Sequence, residues 1–393
     1  MTEERKYSRR RVLKAVPMAA LGLSAGMGNA SGRTTRSRVS QQASGRRSVA
    51  NTSIQGGWSQ QVKLTPDDGD PIDSFGSSVT LDGARALVGA YGDEDPNGDD
   101  AGSAYVFERT NGSWTQQAKL TPDDGDAGDY FGVTVALDGG MALVGAYGDE
   151  DPNGDAAGSA YVFERSTGSW TQQAKLTPDD GDAEDLFGDA VALDGATALV
   201  GAPWDEDPNG DAAGSAYVFE RTNGSWTQQA KLIPDDGDAD DLFGDAVALD
   251  GDRALVGANG DEGPNGDYAG SAYVFERSNG SWAQQAKLTP DDRDRRDSFG
   301  DSVVLDGGTA LVGANGDEDP NGANAGSAYV FEEGGTTGAG VPDRVYDAVA
   351  GTDGQLERDD VISMVRGYAQ SGSVNGVDID RDEVLSLVRY YVG

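Results

Sequence analysis

The sequence predicts an all-β fold, a five-bladed β-propeller of four-stranded blades, followed by a small α-helical module. The first observation behind this is a 56-residue unit that recurs without a slip. The phenylalanine of a Phe-Gly pair falls at Phe75, Phe131, Phe187, Phe243 and Phe299. Units this regular bury their apolar faces against one another. The second observation is that each unit holds four short alternating segments parted by turn dipeptides, the size of one blade. The third lies at the ends of the repeats. The chain enters them on a fourth-strand segment, at Trp58, and leaves on a third-strand segment, at Phe331. If the N-terminal strand completes the last blade, the ring closes and no edge is exposed. An open solenoid is the alternative, and it leaves both end strands unmatched.

The second unit shows the pattern. Residues Phe131 to Leu137 alternate with period two, as a strand does, and Asp138-Gly139 suits a tight hairpin. Met141 to Ala146 is a second, more buried strand, and Ser159 to Phe163 a third. After a turn at Thr167-Gly168, the fourth strand runs from Trp170 to Leu176 and is half polar. Strict alternation puts Trp170, Ala174 and Leu176 on one face and Thr171, Gln173 and Lys175 in solvent.

Phe-Gly before a strand, Val-Gly-Ala after the next and Gly-Ser-Ala-Tyr-Val-Phe after a polar loop recur over residues 58–333. This set resembles FG-GAP repeats, which implies a propeller related to the head of integrin α chains. In integrin-type repeats a calcium loop lies between the first and second strands. This chain has only Asp138-Gly139 and its equivalents there, so that metal site does not carry over.

The net charge is −38. Acidity of this density disfavours nucleic acid and anionic lipid as partners and favours cations. Lysine is scarce and aspartate abundant, a bias expected of a halophilic protein that stays dispersed in concentrated salt. There is no histidine and no cysteine, which excludes imidazole and thiolate sites and the catalytic groups built on them. Residues 1–30 resemble a twin-arginine signal peptide, with Ser8, Arg9, Arg10 and Arg11 before a short apolar run and small residues near Ala30. That run is too short for a permanent membrane span. Residues 31–57 form a basic spacer with almost no apolar residues, and disorder is expected there. An exported, extracellular or cell-surface protein follows, and a monomer is expected.

Tracing strand directions gathers both acidic loops of each unit on one face. Asp93, Asp95, Asn97 and Asp99 reproduce the start of a calcium loop, with oxygen ligands at alternate positions. The copies are Asp149, Asp151, Asn153 and Asp155, then Asp205, Asp207, Asn209 and Asp211. They continue with Asp261, Asn265 and Asp267, then Asp317, Asp319 and Asn321. Calcium binding and a solvated acidic turn both account for them, since no closing glutamate completes the loop. On the opposite face, Asn111, Asn223 and Asn279 start glycosylation sequons that are equally good tight turns, and Asn51 starts another in the spacer. The repeat breaks at Trp204, which could stack on a sugar ring, and at Arg293, Arg295 and Arg296, which could meet a carboxylate ligand or balance local charge.

A flexible linker at 334–342 leads to a helical module at 343–393. Its acidic segments resemble paired half EF-hands of the dockerin type. The resemblance implies calcium ligands among Asp353, Asp360, Asp378, Asp380 and Glu383, and a docking partner for the module. The expected function is a secreted, non-catalytic binding or adhesion propeller, calcium-stabilised, that recognises a surface glycan or protein. A polysaccharide-active glycosidase or lyase and a purely structural envelope component are the competing readings.

Overall fold

The computed structural model describes residues 59–94, 96–150, 153–206, 209–262, 268–318 and 324–333, with two short strands at 373–374 and 377–378. The first sheet comprises β1 (Val79–Asp82), β2 (Arg85–Ala90), β3 (Ser103–Thr110) and β4 (Ser113–Leu120). The second comprises β5 (Val135–Asp138), β6 (Met141–Ala146), β7 (Ser159–Ser166) and β8 (Ser169–Leu176). The third comprises β9 (Val191–Asp194), β10 (Thr197–Ala202), β11 (Ser215–Thr222) and β12 (Ser225–Leu232). The fourth comprises β13 (Phe243–Asp250), β14 (Arg253–Ala258), β15 (Ser271–Ser278) and β16 (Ser281–Leu288). The fifth has three strands, β17 (Phe299–Asp306), β18 (Thr309–Ala314) and β19 (Ser327–Glu332). Every sheet is antiparallel and ordered as the chain runs. The result is a propeller-like succession of repeated sheets, with no helix among the described residues.

Turn chemistry sets the hairpins. Asn111-Gly112, Thr167-Gly168, Asn223-Gly224 and Asn279-Gly280 have positive φ at both residues, the type I′ geometry that matches strand twist. The first-to-second strand turns are tied together across the sheets. Asp82 accepts the Gly139 N–H at 2.9 Å, and Asp138, Asp194 and Asp250 accept those of Gly195, Gly251 and Gly307 at 2.6 Å.

The core lies between consecutive sheets. The back face of the first sheet gives Leu87, Ala104, Val106 and Leu120, and the front face of the second gives Phe131, Val135, Val144, Tyr161 and Phe163. The same set recurs at the next interfaces. Each Phe-Gly phenylalanine meets a tyrosine and a phenylalanine edge-on, with centroids 5.5–6.0 Å apart. Glycine permits the contact. A Cβ on Gly145 or Gly201 would lie 1.9 or 2.0 Å from the carbonyl oxygen of Gly188 or Gly244 in the next sheet.

Two expectations change. The predicted closing strand is not in a sheet: residues 59–64 form no strand, and the fifth sheet stops at β19. The fourth strand also carries a bulge. Val162 pairs with Ala174 but Phe163 with Gln172, leaving Gln173 extra. The extra residue switches faces mid-strand, so Trp170 packs on one core and Ala174 and Leu176 on the next. Lys175, expected in solvent, turns onto the face of Tyr161, 5.4 Å from its ring centroid.

Candidate functional site

Bulge and loop meet at the first aspartate of each acidic loop. Asp93, Asp149, Asp205, Asp261 and Asp317 are all buried. Tyr105, Tyr217, Tyr273 and Tyr329 donate their hydroxyls to these carboxylates at 2.5–2.8 Å, and Tyr161 donates to Asp149. In the four complete sheets the bulge brings in a lysine as well. Lys119, Lys175, Lys231 and Lys287 lie 2.6–3.0 Å from these buried aspartates. The same ammonium groups bridge to Asp68, Asp124, Asp180 and Asp236 in the connecting loops, at 2.7–3.0 Å. A carboxylate so compensated is a structural anchor.

A second buried aspartate sits in each connection between sheets. Asp129 accepts the Asp126 N–H at 2.8 Å through one oxygen, while its other oxygen is buried without a hydrogen-bond partner. Burial, with Asp149, Glu150 and Asp126 nearby, pushes its carboxyl up to about 7. Asp185 and Asp241 are raised in the same way, to about 7 and about 6.

The least repetitive chemistry lies beside the first strands. The residue after Phe-Gly is Ser77, then Val133, and then aspartate three times, at Asp189, Asp245 and Asp301. The first strands of neighbouring sheets pack side by side, which brings these aspartates near one another. Asn259 donates to Asp245 at 2.7 Å. Burial raises the Asp245 carboxyl to about 7, with Asp189 and Asp301 adding to the effect. Burial raises Asp189 to about 6. Burial also raises Asp301, opposed by hydrogen bonds from Asn315 and Asn259. On the sheets without these aspartates stand tyrosines instead. Tyr130 stacks on Tyr147 at 5.1 Å and lies 6.2 Å from Tyr91. Burial, Tyr130 and Asp189 push the Tyr147 hydroxyl up, which joins the aromatic group to the acidic one. All of these side chains except the exposed Asn315 and Ser77 are half-buried.

A model of the FG-GAP repeat matches residues 58–107, 114–163, 170–219, 226–275 and 282–331. The chain belongs to the FG-GAP repeat family. A comparison with curated proteins returns no match. From the second on, each matched FG-GAP unit begins on a fourth strand and ends on a third, so it straddles two sheets.

Within these FG-GAP repeats the remaining expected site residues are dispersed. Asn97 packs its amide over Gly125, as Asn153 and Asn209 do over Gly181 and Gly237. Asp99, Asp155 and Asp211 use their backbone carbonyls to accept N–H groups of the next connection. No group of three or more metal-ligating His, Cys, Asp or Glu side chains forms among the described residues. Asp95, Asp151, Asp207, Asn265, Asp267, Asp319 and Asn321 lie outside them, as do Asn51, Asp353, Asp360, Asp380, Glu383 and the predicted helices. Asp378 belongs to the strand Val377–Asp378, paired with Ser373–Val374. Asn111, Asn223 and Asn279 are exposed at turn tips. Arg293 is buried against Asp261, 3.1 Å from its carboxylate, which is charge balancing within the fold and not presentation to a ligand. Arg295 and Arg296 are exposed. Trp204 occupies the position of Gly92, Gly148, Gly260 and Gly316, and is half-buried.

Comparing the five copies column by column identifies Asp189, Asp245, Asp301, Asn259, Asn315 and the three tyrosines. That signal was present in the sequence. These variable columns adjoin the Phe-Gly and Gly-Ala motifs, whose repetition in every unit masks them.

Proposed function

We propose that this protein is an exported, non-catalytic FG-GAP scaffold that binds a glycan, free or on a surface protein, at the tyrosine–aspartate cluster of its first strands. The observation that carries the reading is the stacking of Tyr130 on Tyr147 beside Asp189, which in turn neighbours Asp245, at columns that differ among the five units. Tyrosine rings offer a flat apolar face to a sugar, and carboxyl and amide groups pair with its hydroxyls. Export draws on the twin-arginine pattern at Ser8 to Lys14 and attachment on the acidic C-terminal module. A glycan array probed in molar salt tests the reading. Binding by the parent protein should be lost in Tyr147→Ala and Asp245→Asn with little change in unfolding midpoint. Equal binding by both variants overturns the site.

Calcium in this reading is a structural ion. Its support is the sequence pattern of the acidic loops, in which oxygen ligands recur at alternate positions, as at Asp93, Asp95, Asn97 and Asp99. Adding calcium should raise the unfolding midpoint and a chelator should lower it; an unchanged midpoint removes the ion from the account.

One observation favours a second reading, a polysaccharide-active enzyme. Asp245, raised to about 7, could act as a general acid beside Asp189. Release of new reducing ends from an acidic polysaccharide, abolished in Asp245→Asn, would establish it.

A further inference from the structure

We propose that this protein assembles head to tail, with residues Gln60 to Leu64 of one copy completing the fifth sheet of the next. The two ends of the array are the unfilled halves of an interface that the chain builds four times internally. On the back face of the last sheet, Leu311 is 41 % and Val330 62 % exposed, whereas their counterparts Leu143 and Val162 are 0 % and 1 % exposed. On the front of the first sheet, Val79 and Leu81 are 68 % and 65 % exposed, against 7 % and 8 % for Val135 and Leu137. The backbone contact is also split. A Cβ on Gly132 would meet Ser103 of the preceding sheet, but one on Gly76 would meet nothing within 4 Å. Gly89 would meet Gly132 of the following sheet, but Gly313 would meet only Ser302 of its own.

The missing fourth strand is present in the sequence. Residues 58–64 read Trp-Ser-Gln-Gln-Val-Lys-Leu, the pattern of β4, β8, β12 and β16, and it does not recur after Glu333. Leu64 already packs with Phe75 and Trp114 on the first sheet, where Leu120 packs on the second. The segment therefore starts from the front face that a fifth sheet would cover. In the other sheets the fourth-strand lysine bridges two aspartates, as Lys287 does Asp261 and Asp236. The same offsets place Lys63 between Asp317 and Asp292, which both act on Tyr329. Lys63 is exposed in the single copy.

The partner is a second copy because the chain's own last sheet does not cover its first. Backbone-to-backbone contacts at Gly89, Gly145, Gly201 and Gly257 fix how each sheet sits on the next. Covering the first sheet with the last would require this stacking to change. Docking a second copy repeats a contact of proven geometry, and it is heterologous, so it propagates. It also covers the outer edge of β19, which pairs with no strand among the described residues.

The chain has no cysteine, so oxidative crosslinking tests this directly. The Val106–Ala118 register of the first sheet places residue 62 opposite residue 330. Val62 and Val330 are exposed, at 47 % and 62 %, so cysteine at either leaves the fold intact. Full-length Val62→Cys and Val330→Cys proteins are mixed and oxidised, and the double variant is treated alone. The expected result is a covalent dimer in the mixture well above either variant by itself, and a ladder of oligomers in the double variant. Adding Lys63→Glu to the Val62→Cys chain should lower the dimer yield about tenfold or more. The proposal is overturned if the double variant crosslinks only within single chains, which means self-closure. It is equally overturned if the mixture yields no more dimer than its components.

Discussion

Asp149 and Asp129 are both buried aspartates, and they have opposite fates. Asp149 holds Lys175 at 2.9 Å and the Tyr161 hydroxyl, so its charge is compensated. Asp129 faces the neighbouring acids with one oxygen unpartnered, so it is driven toward its neutral form. Removing Lys175 should therefore cost far more than a surface charge does. Lys175→Met is expected to lower stability by about 3 kcal/mol in urea unfolding, because it strands a buried carboxylate. Adding Asp149→Asn to that variant should recover much of the loss. If the single substitution costs no more than an exposed Lys→Met elsewhere, the anchor role fails. None of this could be read from residue type, since a run of acidic residues looks the same whether solvated or buried.

At the scale of the element, one bulge decides what the fourth strand does. Gln173 is the extra residue, and it turns Lys175 inward while leaving Trp170 and Leu176 on different cores. Deleting Gln173 should restore strict alternation, withdraw Lys175 from Asp149 and lower the unfolding midpoint. An unchanged midpoint would mean that the strand slips to recover its register. Period-two reasoning found the strands and their turns, because Phe-Gly, Asp-Gly and Asn-Gly are local signals. It could not find the bulge, which exists only against the partner strand β7. The close stacking of sheets is equally testable. Gly201→Ala puts a Cβ 2.0 Å from the Gly244 oxygen, and overpacking of this kind costs about 1–3 kcal/mol or more. A neutral result in thermal unfolding would show that the sheets can part.

Across the whole molecule the buried acids set a pH dependence. Asp129, Asp185 and Asp245 are raised to about 7, and Asp189 and Asp241 to about 6, each chiefly by burial. Such groups take up protons on folding, so the stability they lend is complete below the unfolded value and is lost as pH rises through about 6 to 7. Asp68, Asp124, Asp180 and Asp261 run the other way. Against the cost of burial, their lysines hold them below the usual range. Their contribution disappears as pH falls below about 4. The unfolding midpoint in molar salt should accordingly peak near about pH 4 and decline toward about pH 7; a steady rise over that interval contradicts it. The five-unit count and the three-stranded last sheet were legible because spacing and motif survive in every copy. Whether the ends meet was not legible, since it depends on the angle at which the sheets stack. The straddling unit also bears on how such a gene changes length. From the second on, each 56-residue unit contributes the fourth strand of one sheet and three strands of the next. Unequal crossing-over between any two copies, at any point along the unit, therefore adds or deletes one whole sheet. The two end faces stay the same, so a shortened or lengthened descendant exposes the same front on its first sheet and the same back on its last.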